Sequence, residues 1–258
     1  MTDDLFRSDA YLRDCEALVV AVDEGGILLD RTVFYPLGGG QAGDTGKLRL
    51  ADGREIAIAD TRKAKDTVGK PTDQILHVPA PGQEDLCTTL RPGDRVTAMI
   101  DWERRHKLMR FHTATHLLCH LVPQPVNGCS ITPDYARLDF HMTDALDKET
   151  LTAGLARLVA AAHPLVVGAI SDAELDANPA LVKSMSVQPP RGTGTVRTIR
   201  IGGADAAIDF QPCDGTHVAN TGEIGAVVVT KIEKKSANSR RVVLGWGGRN
   251  FTAQARSD

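Results

Sequence analysis

Two short segments of this sequence carry residues that are suited to binding a metal ion. The first reads His-Thr-Ala-Thr-His from His112 to His116, and the second reads Cys-Asp-Gly-Thr-His from Cys213 to His217. On a helix, residues i and i+4 lie on one face, so both histidines of the first segment would point the same way. The Asp-Gly pair favours a turn that brings the ends of the second segment together. Three imidazoles and one thiolate form a tetrahedral set that suits one zinc ion per chain.

The residues alone leave the ligand set and its role open. His120 also lies four positions after His116, so the helix could present that pair instead. No glutamate stands between His112 and His116, which excludes the His-Glu-x-x-His helix of zinc proteases. Four protein ligands are typical of a structural zinc site, whereas a catalytic site keeps one position open. The pattern therefore predicts a metal site without deciding what it does.

Composition restricts the class of protein. The chain has 258 residues, of which 42% are hydrophobic and 4% aromatic, and this predicts one or two domains with an aliphatic core. A net charge of −3 is not that of a general nucleic-acid binder. Five widely spaced cysteines argue against a disulfide framework and favour the reducing cytoplasm. No apolar run reaches the roughly 20 residues of a membrane span, and the acidic N-terminus lacks a signal-peptide layout.

The N-terminal part has the pattern of short β-strands. Apolar runs on either side of turn signals predict hairpins over residues 18–29 and 47–58, and residues 96–100 read as one more strand. Residues 74–95, with three prolines, read as loop and connector. Several short strands at close spacing favour a small barrel, so we predict a β-barrel-like domain over residues 1–97.

The remaining chain, residues 98–258, alternates helix and strand patterns. Asp101 is expected to begin a helix that carries the first ligand segment, and Pro123 to end it. A second helix is predicted over residues 146–162, and β-type runs precede and follow Cys213. Helices packed on an antiparallel sheet would make this domain α+β.

Both ligand segments, with their flanks, resemble the zinc motifs of the alanyl-tRNA synthetase editing domain and of its free-standing relatives, the AlaX family. The matching stretches are residues 111–118 and 213–225. A third stretch, residues 32–46, contains Tyr-Pro-Leu-Gly-Gly-Gly-Gln and resembles the glycine-rich segment that precedes that domain. Three motifs in the same order, spanning about residues 32–241, make the chain similar to the longer, two-domain AlaX form.

The resemblance implies a zinc-dependent catalytic centre. Its members would be His112, His116, Cys213, His217 and Thr115. All but the threonine would bind zinc, which selects His112 over His120 as the helix ligand. Thr115 would help to choose the amino acid that is removed. Its alternative interpretation is a helix threonine that bonds a carbonyl one turn back.

Further residues are predicted to bind substrate. In the longer AlaX forms the glycine-rich loop influences editing and tRNA choice, which implies a role for Gly38, Gly39, Gly40 and Gln41. From spacing alone the same loop is an ordinary hairpin loop whose glycines accept positive φ. Ser130 and Thr132, placed in the loop after the helix, are predicted to meet a serine hydroxyl. Asp214 stands where the family usually has glycine, so the pocket rim is expected to differ.

The activity implied by the resemblance is hydrolysis of the ester that joins a wrong amino acid to tRNA(Ala). Zinc would polarise the ester carbonyl or activate water, and an activated ester needs little beyond electrostatics and positioning. A site that binds a substrate hydroxyl can reject the analogue lacking it by about 10⁴, so serine is the expected main target and glycine the second. Basic clusters in residues 104–110 and 231–241 are expected to contact tRNA phosphates.

Two other functions compete with this one. A non-catalytic tRNA- or RNA-binding protein with a structural zinc would bind tRNA in a salt-sensitive way without turnover. An enzyme that hydrolyses a small ester or amide would need no contacts to the acceptor stem. The sequence identifies neither a general base nor an oligomeric state, and a monomer is preferred.

Overall fold

The computed structural model of the chain describes residues 2–23, 25–186, 188–189, 194–203 and 206–248. Contacts divide the chain into two compact units. The first contains residues 1–38 and 42–106, and the second contains residues 39–41 and 107–258. Three residues of the glycine-rich loop therefore belong to the second unit, although the residues on both sides of them belong to the first.

The first unit is built around an antiparallel β-barrel. Its strands are β1 (Asp3–Asp4), β2 (Asp14–Asp23), β3 (Gly26–Leu29), β4 (Arg31–Thr32), β5 (Gly46–Leu50), β6 (Glu55–Lys65), β7 (Pro71–Pro79) and β8 (Arg95–Ile100). Two one-turn helices accompany them, α1 (Leu5–Ser8) and α2 (Glu84–Cys87). Six strands close the barrel in the order β2-β3-β7-β6-β5-β8, and β1 pairs with β4.

Alternation of apolar and polar residues explains the barrel interior. Successive side chains of a strand point to opposite faces, and one face carries buried residues such as Leu48, Ile56 and Ala98. Both predicted hairpins form, as the antiparallel pairs β2–β3 and β5–β6. The prediction of a loop over residues 74–95 is wrong at its beginning, because β7 runs to Pro79 and buries Ile75 and Leu76.

His77 is a buried titratable group of this unit. Its Nδ1 donates to the Ile27 carbonyl at 3.0 Å, and its Nε2 lies 2.8 Å from the Thr32 hydroxyl. That hydroxyl already accepts from the Phe34 backbone N–H, so its proton is available to the ring. Burial lowers the pKa of His77 to about 4, from an ordinary value of 6.5. The neutral ring therefore satisfies both of its hydrogen bonds inside the barrel.

Acid should destabilise the fold through His77. Between pH 6.5 and about 4 the unfolded chain binds a proton at this residue and the folded chain does not, so the free energy of unfolding falls as pH falls. The expected loss is about 1.4 kcal/mol per pH unit and about 3 kcal/mol in total. Urea unfolding across this range should show a shallower pH slope for His77→Gln. The same change at exposed His141 should keep the parent slope, and equal slopes in all three proteins would contradict the prediction.

The second unit combines helices with two antiparallel sheets. Its elements are α3 (Trp102–Leu121), β9 (Val126–Ile131), β10 (Tyr135–His141), α4 (Lys148–Ala160), β11 (Leu165–Ser171), α5 (Asp172–Ala177), β12 (Thr195–Gly202), β13 (Ala207–Pro212), β14 (Val227–Ser236) and β15 (Ser239–Trp246). Helix α3 belongs to this unit from Lys107 onward. One sheet has the order β14-β15-β10-β9 and the other the order β11-β12-β13. Helices with antiparallel sheets confirm the predicted mixed α+β class.

Helix α3 carries the first ligand segment and has clear signals at both ends. The Asp101 carboxylate accepts from the Arg104 backbone N–H at 3.0 Å, which caps the first turn. Pro123 cannot continue a helix, and α3 ends at Leu121. Every residue from 111 to 119 is buried, so the ligand segment lies in the interior of the protein. None of the helices in the described ranges has both the length and the apolar character that crossing a membrane requires.

Candidate metal centre and substrate cavity

Four side chains of the second unit converge as a potential metal centre. His112, His116, Cys213 and His217 each offer one ligand atom, and these atoms all lie within 4.8 Å of one another. The Cys213 Sγ atom is 3.5 Å from His112 Nε2 and 3.3 Å from His217 Nε2. Zinc bonds of about 2.0 to 2.3 Å in a tetrahedron place neighbouring ligand atoms roughly 3.5 Å apart. Donor type and spacing therefore both fit a zinc ion.

The structure decides between the two histidine pairs of α3. His112 and His116 are buried and belong to the group of four, whereas His120 is exposed and does not. The other two ligands lie in the turn that follows β13. This turn is fastened by Arg197, whose Nη1 donates to the carbonyls of Cys213 at 2.6 Å and Gly215 at 3.1 Å.

Gly215 allows this turn to approach α3. A Cβ atom at this position would lie 2.0 Å from Cε1 of His112 and 2.3 Å from its Nδ1. Such distances are far inside van der Waals contact, so any side chain here would displace the histidine. The glycine of the second ligand segment is thus needed for the first ligand to reach its place.

A carboxylate holds His116 in its orientation. Asp209, in β13, has no exposed side-chain surface, and its Oδ2 accepts from His116 Nδ1 at 2.7 Å. Its Oδ1 forms an ion pair with Lys183, and Gln211 Nε2 donates to Oδ2 at 2.8 Å. Because Nδ1 carries the proton that Asp209 binds, Nε2 of His116 is left to act as the metal ligand.

The other two histidines are held in the same way by uncharged groups. His217 Nδ1 lies 3.2 Å from the Thr113 hydroxyl, which itself donates to the Met109 carbonyl at 3.0 Å. His112 Nδ1 donates to Gln41 Oε1 at 2.8 Å. All three rings thus use Nδ1 for a protein partner and turn Nε2 toward the centre.

Electrostatics at the centre favour the charged ligand and its supporting carboxylate. Burial raises the pKa of Cys213, but the histidines around it, His112 and His217 foremost, outweigh burial and hold that pKa well below its usual value. Burial also raises the pKa of Asp209, yet His116 and Lys183 lower it to about 2. Burial, together with the electrostatic effect of His112 and His116, outweighs Cys213 and holds the pKa of His217 well below its ordinary value. Burial lowers the pKa of His116, but Asp209 and Cys213 raise that pKa to about 9. The thiolate needed for zinc binding is therefore the favoured form of Cys213.

A cavity of about 350 Å³ is lined by three of the four candidate ligands, His112, His116 and Cys213. Of the residues predicted to bind substrate or to choose it, three line this cavity: Gly39, Gly40 and Thr115. Gly38, Gln41, Ser130 and Thr132 are not among its lining residues. Further polar and charged lining comes from Lys183, Ser184, Ser186, Arg197 and Asp214. Among these, Asp214 contributes a carboxylate next to Cys213.

Ser130 and Thr132 do not occupy the loop in which they were predicted. Ser130 lies within β9, in register with Arg137 of β10. The Thr132 hydroxyl donates to the Tyr135 carbonyl at 2.9 Å and accepts from its backbone N–H at 3.1 Å, so it holds the turn between these strands. A strand over residues 126–131 was not predicted, because a short run that contains Asn and Gly has weak β propensity of its own.

The first basic cluster exposes less of its charge than the sequence pattern suggests, and its predicted contact with tRNA phosphates stays a prediction. Arg105 has no exposed side-chain surface and is paired with Asp44. Arg110 donates to the Ile224 carbonyl at 2.8 Å and lies over the ring of Trp246. Lys107 alone of the cluster is both charged and exposed. The cluster therefore belongs mainly to the internal structure of the two units.

The second basic cluster also exposes less of its charge than the sequence pattern suggests. Arg240 is buried and donates to backbone carbonyls, among them that of Ser236 at 3.1 Å. Arg241 forms an ion pair with Asp139. Lys234 and Lys235 stay exposed at the end of β14 and are the better candidates for phosphate contact.

Sequence comparisons place both parts of the chain among tRNA synthetase domains. Residues 196–243 match the threonyl and alanyl tRNA synthetase second additional domain, and residues 11–104 match the class II (A) tRNA synthetases. An alanine–tRNA ligase of Saccharolobus islandicus is 31% identical over 250 residues, which cover 90% of this chain and 25% of the ligase. The chain thus belongs to a class of proteins related to the tRNA synthetases.

Shorter relatives match this chain over nearly their whole length. The alanyl-tRNA editing protein AlaX-M of Methanosarcina acetivorans is 33% identical over 251 residues, covering 94% of this chain and 98% of that protein. The AlaX-M protein of Saccharolobus solfataricus is 32% identical over 256 residues, with the same coverage. The chain belongs to the AlaX-M family of alanyl-tRNA editing proteins.

Proposed function

We propose that this chain hydrolyses the ester between tRNA(Ala) and a wrongly attached amino acid, with serine as the main target and glycine as the second. Family membership makes it an aminoacyl-tRNA deacylase. The observation that carries the finer proposal is the convergence of the four ligand atoms, with three of the four ligand residues, His112, His116 and Cys213, lining the 350 Å³ cavity. We further propose that residues 98–258 form the hydrolytic domain and that residues 1–97 support tRNA selection.

The centre would be held by His112, His116, Cys213 and His217. A zinc ion bound there would supply a Lewis acid that polarises the ester carbonyl. Lys183 and Arg197 line the same cavity and provide positive charge for the developing negative charge of the ester and for the phosphate of the terminal nucleotide. The chain itself contributes orientation and charge, and an activated ester requires no nucleophilic side chain.

In this proposal Thr115 distinguishes serine from alanine. It lines the cavity and has a 3% exposed surface. Its hydroxyl donates to the His112 carbonyl at 2.7 Å, so its only proton is used and its oxygen can accept from a serine hydroxyl. The sequence allowed Thr115 either to bond a carbonyl of its own helix or to face the substrate. In the structure it makes the helix bond and also lines the cavity. An alanine ester would leave the threonine oxygen without that donor.

Replacement of Thr115 by valine keeps the shape of the side chain and removes the acceptor. We expect kcat/KM for Ser-tRNA(Ala) to fall about 10- to 100-fold, the effect of one unmade buried hydrogen bond, with a smaller change for Gly-tRNA(Ala). Thr115→Ser should retain hydrolysis of the serine ester. Equal losses on the serine and glycine esters in the valine variant would show that Thr115 does not read the hydroxyl.

The function is tested by deacylation of Ser-, Gly- and Ala-tRNA(Ala) with zinc-loaded protein. We expect fast loss of the serine ester, slower loss of the glycine ester, and sparing of the alanine ester. Hydrolysis of the alanine ester at the rate of the serine ester would overturn the proposed specificity. Absence of turnover with all three, in folded and zinc-loaded protein that still binds tRNA, would instead support a structural zinc in a binding protein.

A further inference from the structure

Gln41 is a buried amide that contacts both ligand segments. Its side chain has no exposed surface. Oε1 accepts from the Thr216 backbone N–H at 3.1 Å and from His112 Nδ1 at 2.8 Å, and Nε2 donates to the Thr216 hydroxyl at 2.9 Å. One residue of the glycine-rich loop thus bonds a ligand of the first segment and the residue beside a ligand of the second.

These bonds fix which nitrogen of His112 carries the proton. The backbone N–H of Thr216 can only donate, so the amide atom facing it must be the oxygen. The same oxygen faces His112 Nδ1, which must therefore be protonated. In the neutral ring this leaves the lone pair on Nε2, the nitrogen that lies 3.5 Å from Cys213 Sγ. The Thr216 backbone N–H thus fixes the orientation of the Gln41 amide. The Gln41 amide in turn fixes which nitrogen of His112 is free to bind a metal.

The chain around Gln41 leaves it little freedom to move. Gly40, at φ +85°, packs against Cys129, and its carbonyl accepts from the Ile131 N–H at 2.7 Å. On the other side, a Cβ atom at Gly215 would lie 3.0 Å from Gln41 Oε1. The amide is therefore held from both sides in the position that its bonds require.

We propose that Gln41 is a positioning residue that selects Nε2 of His112 as its metal-binding atom. Its oxygen already accepts two hydrogen bonds inside the protein, so Gln41 acts through the histidine and not on the substrate. This gives one residue of the glycine-rich loop a definite task at the metal centre. The inference rests on the proposed function in that it assumes a metal ion at this centre.

The test compares metal affinity in variants of the full chain. Gln41→Met has similar length without an acceptor, and Gln41→Glu keeps the acceptor. Competition with a chelator should show cobalt(II) and zinc affinity about 10- to 100-fold lower for the methionine variant, with affinity close to parent for the glutamate variant. The matched control is Gln124→Met, at an exposed glutamine of the same unit, which should bind as the parent does. Parent-like affinity and an unchanged cobalt spectrum in folded Gln41→Met would overturn the inference.

A second measurement uses the parent protein and so does not depend on folding of a variant. Nitrogen-15 NMR of the imidazole rings in zinc-loaded protein should show His112 protonated at Nδ1 and metal-bound through Nε2. The opposite assignment would overturn the role of Gln41. Neither readout involves turnover. Failure of the parent to hydrolyse any ester would count against the proposed function, while affinity and NMR would still decide the inference.

Discussion

The cobalt-loaded protein should lose its thiolate-to-metal charge-transfer band when Cys213 is replaced by alanine. Removal of a ligand is a larger change than removal of a partner of a ligand, so metal affinity should fall by more than about 100-fold. Hydrolysis of Ser-tRNA(Ala) should fall by a similar or larger factor, because the positive charge opposite the ester is lost with the ion. Metal content after dialysis, the cobalt spectrum and the deacylation rate measure the three effects.

A second thiol provides the control for this prediction. Cys129 lines the same cavity but does not belong to the group of four ligands. Cys129→Ala should therefore keep the bound metal and the charge-transfer band. Far-UV circular dichroism establishes that both variants are folded. A Cys213→Ala protein that retains metal and the band would show that the thiolate is not a ligand.

Loss of either partner of the Asp44–Arg105 ion pair should lower the free energy of unfolding by about 3 to 5 kcal/mol. Neither side chain has exposed surface, and Arg105 Nε bonds both carboxylate oxygens, at 3.1 and 3.0 Å. The guanidinium also donates to the carbonyls of Ala10 and Val33, and the carboxylate accepts from the Tyr35 N–H at 2.6 Å. Either single substitution leaves a charge in the interior without its counter-charge.

Urea unfolding of Arg105→Met, Asp44→Asn and the double variant measures this effect as a double-mutant cycle. We expect the double variant to be destabilised by less than the sum of the single variants. The surface pair Arg54–Asp52, with half of each side chain exposed, is the control, and Arg54→Met should cost less than about 1 kcal/mol. A cost below about 1 kcal/mol for both buried substitutions would contradict the prediction.

The convergence of the four candidate metal ligands was predictable in part, because the spacing within each pair is local. His112 and His116 are one helical turn apart, and Cys213 and His217 are joined by a turn, so each pair is visible in five consecutive residues. The groups that orient them were missed: Asp209 is 93 residues from His116, and Gln41 is 175 residues from Thr216. Of these two groups, only Asp209 had a local signal of its role: it lies at a buried position of the strand that leads to the second ligand segment.

Arg105 shows why charge patterns are poor guides to a tRNA surface. It lies in a run of basic residues at the start of a helix, which in a sequence is the pattern of an exposed cationic face. Its burial depends on Asp44, 61 residues earlier in the chain. The hairpins of the barrel were predictable from alternation, whereas β9 and β11 depend on neighbouring strands for their pairing. What the sequence could not supply in each case was the identity of a distant partner.

The distance along the chain between the two ligand segments has a consequence for folding. About one hundred residues separate His116 from Cys213, and they include β9 to β13 with α4 and α5. An ion that binds both segments is a long-range cross-link, comparable to a disulfide that closes a loop of this length. Such a closure lowers the conformational entropy of the unfolded ensemble, which corresponds to about 5 kcal/mol in the free energy of unfolding. Metal supply during synthesis would then set how long the chain stays open to proteases before the second unit is complete.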